Sequence, residues 1–341
     1  MNTRKHIAVI GAGIAGMETS IHLARSGFKV TLIEKNDKTG GHLTQWSSLF
    51  PDLANPQEIL AKQNANLMKY QVKTIYNTEI TAIEKNKDNF VVKAGNELSV
   101  SADGVVIGSG FKPFDATRKE EYGYGLFENV ITSVDLEQIL KHNREITTAS
   151  GKKPKRIAIV HCVGSRDAKS GNTYCSKVCC ITSIKQAIEL NKRLPDCEIF
   201  CFYMDLRLNG LRFDDLYLKA QMQHKIQFIR GRLSEASERQ DKSLQIKAED
   251  TLSGRPLRMD VDMLLLMVGM EASALTIPLK KNGVIDANVH GFMQANSEHA
   301  ERNLSAQPGV FLAGSCACPM SVNETLENAR SAALEVISYF N

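Results

Sequence analysis

The chain has little of what marks a nucleic-acid binder, a membrane protein or a secreted disulfide scaffold. Of its 341 residues one is Trp and 6% are aromatic. Its 42 basic and 38 acidic residues leave a formal charge of +4, and no run of Lys and Arg is interleaved with aromatics. That excludes the basic, ring-studded face used on nucleic acids. The longest apolar run, Met263–Val268, cannot span a bilayer. No repeat of solenoid length and no low-complexity tract occurs. The segment Met1–His6 before the first apolar run is too short for a secretory signal. A cytoplasmic protein without a transmembrane segment is expected. In a reducing compartment, clustered cysteines point to metal or redox chemistry rather than disulfides.

What is present is a core-sized apolar share of 43%, enough for one large or two ordinary domains. His6–Ile10 reads as a buried strand, followed by Gly11-Ala-Gly13-Ile-Ala-Gly16, a helical stretch from Ile14 to Ser26, and a second strand from Lys29 to Ile33 that ends in Glu34. This strand–turn–helix–strand order is the context a dinucleotide fingerprint requires. Gly11 permits the tight turn, Gly13 lets the backbone approach a pyrophosphate on the helix N-terminus, and Gly16 allows close helix–strand packing. Glu34, 21 residues after Gly13, is placed to accept from ribose hydroxyls. The plainer reading is an ordinary tight turn between strand and helix.

Cys162, Cys175, Cys179 and Cys180 are four of the eight cysteines and fall within 19 residues, spaced C-x12-C-x3-C-C. Four thiolates brought together suit a tetrahedral metal or an iron–sulfur cluster. The spacing is neither the ferredoxin run nor the paired C-x2-C of a zinc ribbon, and adjacent Cys179 and Cys180 can share one cluster only if the backbone turns sharply between them. The plainer reading is buried, inert thiols. The set follows a second buried strand, Lys155–Val160, at the place where a second glycine fingerprint would hold NAD(P)H; here one glycine, Gly164, stands without a triplet. A helix from Ile181 to Arg193 is expected next.

Three further segments pair a strand or a loop with glycines: Gly40-Gly41-His42, Ser101–Pro113 with Gly110, and Gly309–Cys316 with Gly314, the last followed by a helix from about Asn323 to Tyr339. Together with the fingerprint they resemble the two-dinucleotide flavoproteins of the glutathione-reductase-like family. The resemblance implies FAD, with its isoalloxazine between two domains and the last helix facing the pyrimidine end of the flavin. The residues it implies for the cofactor are Gly11, Gly13, Ile14, Ala15, Gly16, Glu34, Lys35, Gly41, His42, Leu43, Ile80, Ser109, Gly110, Gly314, Ser315, Ser321 and Val322. Ser315 stands where that family often has an Asp.

The stretch Cys162-Val-Gly-Ser-Arg-Asp…Tyr-Cys-Ser-Lys-Val-Cys-Cys closely resembles the A-type subunit of heterodisulfide reductase, as do Tyr203–Arg207, Ile229–Arg232 and Asp262–Glu271. That resemblance implies one [4Fe-4S] cluster on Cys162, Cys175, Cys179 and Cys180, and a role near flavin N5 for Lys185, otherwise a solvated surface lysine. The long form of the family carries further C-x2-C ferredoxin modules that are not in this sequence. The chain looks like the short form of the heterodisulfide-reductase-like complex of sulfur oxidisers, which implies B- and C-type partner subunits, a lipoate-binding protein reached through the complex, and a homodimer core. The A-type component of the quinone-interacting membrane oxidoreductase is a second relative. A stand-alone NAD(P)H-dependent disulfide reductase would need a C-x4-C pair and an intact second fingerprint.

The expected fold is α/β with two Rossmann-like dinucleotide-binding domains, the second modified to hold an iron–sulfur cluster. Residues 1–112 and 276–341 form the FAD-binding domain and 113–275 the cysteine-bearing one. Cys197, Cys201, Cys316 and Cys318 read as packing. His161 reads as structural rather than as a ligand, and Trp46 as a loop anchor or a shield for the cofactor.

Overall fold

In a computed structural model the protein is described for residues 4–87, 89–95 and 98–341, so Met1–Thr3 of the N-terminal segment lie outside the described residues. The chain divides into two units. The first comprises residues 1–44, 56–112 and 271–341, the second residues 45–55 and 113–270. Residues 45–55 thus fall with the second unit, although the sequence pattern groups them with 1–112, and the last crossing lies at 270–271 rather than 275–276.

The first unit is built on a five-stranded parallel sheet in the order Val310–Leu312, Gly104–Ile107, His6–Ile10, Lys29–Ile33, Lys73–Ile75. Its central strands read as near-continuous apolar runs because a parallel sheet is covered on both faces. Ala8, Val105 and Ile107 are fully buried. Helix Ile14–Arg25 follows the first strand, and helix Val322–Phe340 packs against it. An antiparallel sheet of Ala82–Asn86, Asn89–Ala94 and Leu98–Ala102 completes the unit.

The second unit repeats the plan with the order Gln227–Arg230, Glu198–Tyr203, Arg156–Val163, Met263–Val268, Val130–Thr132, again parallel, plus an antiparallel sheet of Leu233–Glu238, Leu244–Asp250 and Arg255–Val261. Strand Arg156–Val163 carries a bulge against Met263–Val268 between Val160 and Val163. The bulge puts Cys162 in the left-handed region at φ 59. A bulge re-aims a side chain and often lies beside a functional site. Helix Cys179–Arg193 begins two residues earlier than the sequence suggests, so Cys179 and Cys180 open the helix rather than precede it. Its N-cap, Val178, has no side-chain cap, and so gives no sequence signal for the start.

Candidate functional site: a dinucleotide cradle and a thiol cluster

In the first unit the glycines do what their spacing demands. Gly11 sits at φ +92, and a Cβ there would meet Gly108 O at 2.5 Å. A Cβ on Gly16 would stand 1.8 Å from Gly11 O, so helix and turn approach too closely for any side chain. At Gly13 a Cβ would meet nothing within 4 Å. That open space faces the uncapped N-terminus of helix Ile14–Arg25, whose first turn has no acidic residue. Such an end offers free N–H groups and a partial positive charge to an anion. Ala15 is buried beneath it and Ile14 half-buried. Gly40 N bonds to Ala12 O, and Gly41 closes on Gly13, where a Cβ would come to 3.0 Å of its Cα. Leu43, in the short turn Gly41–Thr44, is buried. His42 stacks on Phe111 at 4.3 Å and bonds its carbonyl through Nε2 at 2.9 Å. Burial holds the His42 imidazole below its usual range.

Glu34 does more than its place in the fingerprint suggests. Its Oε2 accepts from Ala12 N at 2.7 Å, and its Oε1 from Asn36 N and Nδ2 at 3.0 and 2.8 Å. The carboxylate therefore braces the glycine turn first; Oε1 already accepts two bonds, and Oε2 keeps one lone pair for a ribose hydroxyl. Lys35 beside it is exposed, and Ile80 belongs to the apolar core of the unit. Ser109 has a buried hydroxyl with no partner, next to Gly110 at φ +67 with open space beside it. An orphaned buried hydroxyl flanking an open turn fits a bound dinucleotide. Gly314, at φ +71, packs on Ala15 and Thr325, and Ser315 is buried. Ser321 caps helix Val322–Phe340 in a capping box with Glu324, so the helix end carries its own acid at its first turn. Val322 is half-buried. Glu34→Ala is expected to lower FAD affinity roughly ten- to hundred-fold, since hydrogen bonds to a charged group are worth about 1.5–3 kcal/mol. Flavin retention on gel filtration, with circular dichroism to confirm folding, checks this.

In the second unit the turn after strand Arg156–Val163 is closed. A Cβ on Gly164 would meet the Phe114 ring at 2.1 Å, so Phe114 packs directly against this turn. Thiols stand there. Cys162 Sγ lies 3.9 Å from Cys179 Sγ. Cys162, Cys179 and Cys180 are buried, Cys175 half-buried, and all four are free thiols. Cys175 Sγ accepts from Lys177 N at 3.3 Å. A hydrogen bond from Cys179 pulls the Cys180 thiol down to about 4, with His161 adding to it against burial. The Cys162 thiol is also lowered, first by Cys179 and then by the Arg166 guanidinium. The same bonds, with burial, push Cys179 up.

The loop between them is pinned from several sides. Arg166 pairs with Asp205, whose carbonyl takes the Cys180 thiol at 3.8 Å. Ser165 and Ser176 hydroxyls bond to each other, and Ser176 Oγ accepts from Met270 N at 2.8 Å. Asp167, 2% exposed, is held by Lys119 at 2.7 Å and Arg232 at 3.2 Å, which keep its carboxyl far below the usual range. Arg166 and Lys177 join Cys162 in the left-handed region, at φ 53 and 67. Strained non-glycine backbone persists only where the surroundings over-determine it, and it gathers at functional sites.

Among the described residues no three His, Cys, Asp or Glu side chains converge as a metal ion would require. The donor chemistry of the four cysteines nonetheless fits an iron–sulfur cluster. Two of them are biased toward the thiolate that ligates, Cys179 and Cys180 open a helix without a side-chain cap, and the Cys162 sulfur lies 3.9 Å from that of Cys179. Cys197, Cys201 and Cys316 differ: burial pushes each up to about 12, the state of inert packing thiols. Cys318 is half-buried, with Arg302 donating to its sulfur at 3.5 Å.

Lys185 is buried, not a solvated surface lysine. Its ammonium contacts Glu137 Oε1, Ser48 O at 3.0 Å and Glu189 at 3.5 Å. Glu137 also accepts from Ser47 N and Oγ and from Gln186 Nε2. Trp46, half-buried, sits next to this knot in the segment 45–55. Sequence reasoning misses Glu137, Glu189, Asp167 and Lys119.

The two parallel-sheet units, the first with an open glycine cradle, give the chain the fold of the two-dinucleotide-binding flavoproteins. Residues 5–162 match the family model of the pyridine nucleotide-disulphide oxidoreductases. The thioredoxin reductase of T. acidophilum superposes with a TM-score of 0.69 at 17% identity, covering 98% of this chain and 99% of that one. The Lactococcus lactis thioredoxin reductase gives 0.68 at 16%, covering 98% and 99%. By sequence the chain is similar to the A-type subunits of heterodisulfide reductases along nearly its whole length. The A-type subunit of the H2/formate:CoB-CoM heterodisulfide,ferredoxin reductase of Methanococcus maripaludis is 29% identical over 97% of this chain and 64% of its own. One of the iron-sulfur A-type subunits of the CoB–CoM heterodisulfide reductase of Methanopyrus kandleri is 28% identical over 96% and 63%. The chain thus spans a little under two thirds of the length of these relatives.

Proposed function

We propose that the chain is an FAD- and [4Fe-4S]-containing electron-transfer subunit, of A type, in a heterodisulfide-reductase-like complex. The observation that carries this is the contrast between the two turns. The first unit keeps an open glycine cradle at Gly13, and the second has Phe114 against Gly164 and thiols at the strand end. A nicotinamide dinucleotide lacks its seat there, while single electrons need only a cluster. When bound, the flavin exchanges two electrons and the cluster one at a time. Gly11, Gly13, Gly16 and Glu34 would hold the dinucleotide, Ser109 would bond it, and Cys162, Cys175, Cys179 and Cys180 would ligate iron. Arg166 and the helix N-terminus offset the negative charge that the thiolates bring.

The setting proposed is cytoplasmic sulfur oxidation, with B- and C-type subunits and a lipoate-binding protein as partners and a homodimer core. What supports it is the resemblance to the short form of the family. A place in a quinone-interacting membrane oxidoreductase rests on the same likeness, and among the described residues no helix is long and apolar enough to cross a membrane. Iron and acid-labile sulfide assays with an optical spectrum, on anaerobically prepared protein, test the cofactors. Stopped-flow mixing with NADH or NADPH is expected to leave the flavin oxidised. Rapid bleaching by either would restore the NAD(P)H-dependent disulfide reductase reading.

A further inference from the structure

The four cysteines of the thiol set are not equally covered. Cys162, Cys179 and Cys180 are buried, and Cys175 alone is half-buried. It lies in the loop of residues 164–178, which joins strand Arg156–Val163 to helix Cys179–Arg193. The loop stands at the carboxyl end of that strand, the edge at which open α/β sheets meet their ligands.

The charge this loop shows to solvent is of one sign. Lys169 and Lys177 are exposed and Arg166 is half-buried. The loop's single acid, Asp167, is 2% exposed and turned inward, onto Lys119 at 2.7 Å and Arg232 at 3.2 Å. Neighbouring elements add cations. Arg118 donates to Ser170 O at 3.0 Å, and the Arg232 side chain is 45% exposed. The acids that come with them are already paired. Asp205 is held by Arg166 and by Arg207 at 3.6 Å, and Glu121 by Lys119 at 2.6 Å. Seven basic side chains thus stand against three acidic ones, an excess equal to the formal +4 of the whole chain. The remaining residues balance, so the excess is gathered on and around the cysteine-bearing loop.

A basic face attracts nucleic acid, an anionic membrane or an acidic protein. No large apolar or aromatic side chain of residues 164–178 is exposed, so the face has nothing to sink into a bilayer and no exposed ring to stack on a base. A protein of opposite charge remains. We propose that this face docks an acidic one-electron carrier protein, steered by Lys169, Lys177, Arg118, Arg207 and Arg232, and that an electron passes there between carrier and cluster. The proposal rests on the reading of the four cysteines as cluster ligands. The transfer makes and breaks no bond: the reduced carrier loses one electron and the cluster gains it. Encounters of this kind use small interfaces, and complementary charge acts on their on-rate more than on raw affinity.

Stopped-flow mixing of the oxidised, iron-loaded full-length chain with the reduced form of an acidic flavodoxin reads the encounter. The second-order rate constant is expected to fall roughly tenfold from low to high salt, as steering is screened. Lys169→Glu combined with Arg207→Glu lowers the low-salt rate roughly ten- to hundred-fold and flattens its salt dependence. Lys169→Glu alone, a change at one exposed position, gives a smaller loss in the same direction and serves where the double variant fails to fold. Lys280→Glu combined with Lys281→Glu makes the same charge change on helix Thr276–Lys281 of the first unit and leaves the rate near wild type. A wild-type rate indifferent to salt overturns the proposal. So does a double variant that keeps its iron and reacts as fast as wild type. Amide resonances of 15N-labelled flavodoxin add a readout that needs no cluster: they shift on addition of the wild-type chain and not of the double variant. Equal shifts with both overturn the docking face, as does a chain that ignores flavodoxin and sediments with phosphatidylglycerol vesicles. Wild-type protein without iron would sink the cluster reading, and the resonance shifts would still decide the face.

Discussion

Lys185→Met is expected to destabilise the second unit by about 3–5 kcal/mol, the usual cost of stripping one partner from a buried ion pair. The lysine is 2% exposed and Glu137 4% exposed, so neither charge can turn to water when the other is lost. Burial alone would push the Glu137 carboxyl up. Lys185 beside it, helped by donors from Ser47 and Gln186, outweighs burial and holds it below the ordinary glutamate range. In the wild type that depressed value stabilises the fold above the unfolded carboxyl's pKa, and the gain is lost as pH falls through the folded one. Without Lys185 the balance tips, because only neutral donors remain against burial. The folded carboxyl then holds its proton more tightly than the unfolded one, and stability falls as pH rises. The gap between variant and wild type should therefore widen from acidic to neutral pH. Trp46, the single tryptophan, follows Gln45, whose carbonyl accepts from Gln138 at 3.0 Å, and precedes Ser47 on Glu137. Its fluorescence in a urea titration reads the release of the segment 45–55. A midpoint equal to wild type at neutral pH would show that the knot contributes nothing.

What is legible in the sequence is what backbone sterics impose. Only glycine serves at Gly11 and Gly16, where a Cβ would strike carbonyl oxygens at 2.5 and 1.8 Å, so the cradle announces itself. Parallel strands covered on both faces announce themselves as apolar runs. The knot around Lys185 does not, because apart from Glu189 one turn on its partners are distant in the chain; Lys185 bonds a carbonyl 137 positions away. A signal is nonetheless present. Lys185 lies on the stripe of Ile181, Ile184 and Ile188, and Glu137 on that of Ser133, Leu136 and Leu140, each at positions i, i+3, i+4 and i+7 of a helix. A charge on the buried stripe of an amphipathic helix implies an opposite charge on the element it faces. The start of helix Cys179–Arg193 escapes the pattern by two residues because Val178 is no capping residue. For Glu34 the fingerprint gives the position, but only the folded turn shows Ala12 and Asn36 donating to it. Gly164 looks like the remnant of a fingerprint, and no pattern in the chain reveals that Phe114, 50 positions earlier, packs against its turn.

Cys179→Ser is expected to remove essentially all protein-bound iron and the broad visible absorption that goes with it, while FAD remains bound. Cys179 is buried at the head of its helix, with the Cys162 sulfur at 3.9 Å and Cys180 next in sequence, so it links the other two. Serine keeps the shape and the hydrogen bond but withholds the soft thiolate that iron–sulfur ligation needs. The flavin is spared because the glycine turn at Gly11–Gly16 is built entirely within the first unit. Cys197→Ala is the matching control. Its thiol is pushed up to about 12 by burial, holds its proton at neutral pH, and should change neither iron nor flavin content. Zinc could also take four thiolates, but it has no redox chemistry and would leave a flavin with no path for single electrons. Stoichiometric zinc without iron in wild-type protein never exposed to air would overturn the cluster assignment. So would full iron content in Cys179→Ser, since the thiol that joins the set would then be dispensable to it.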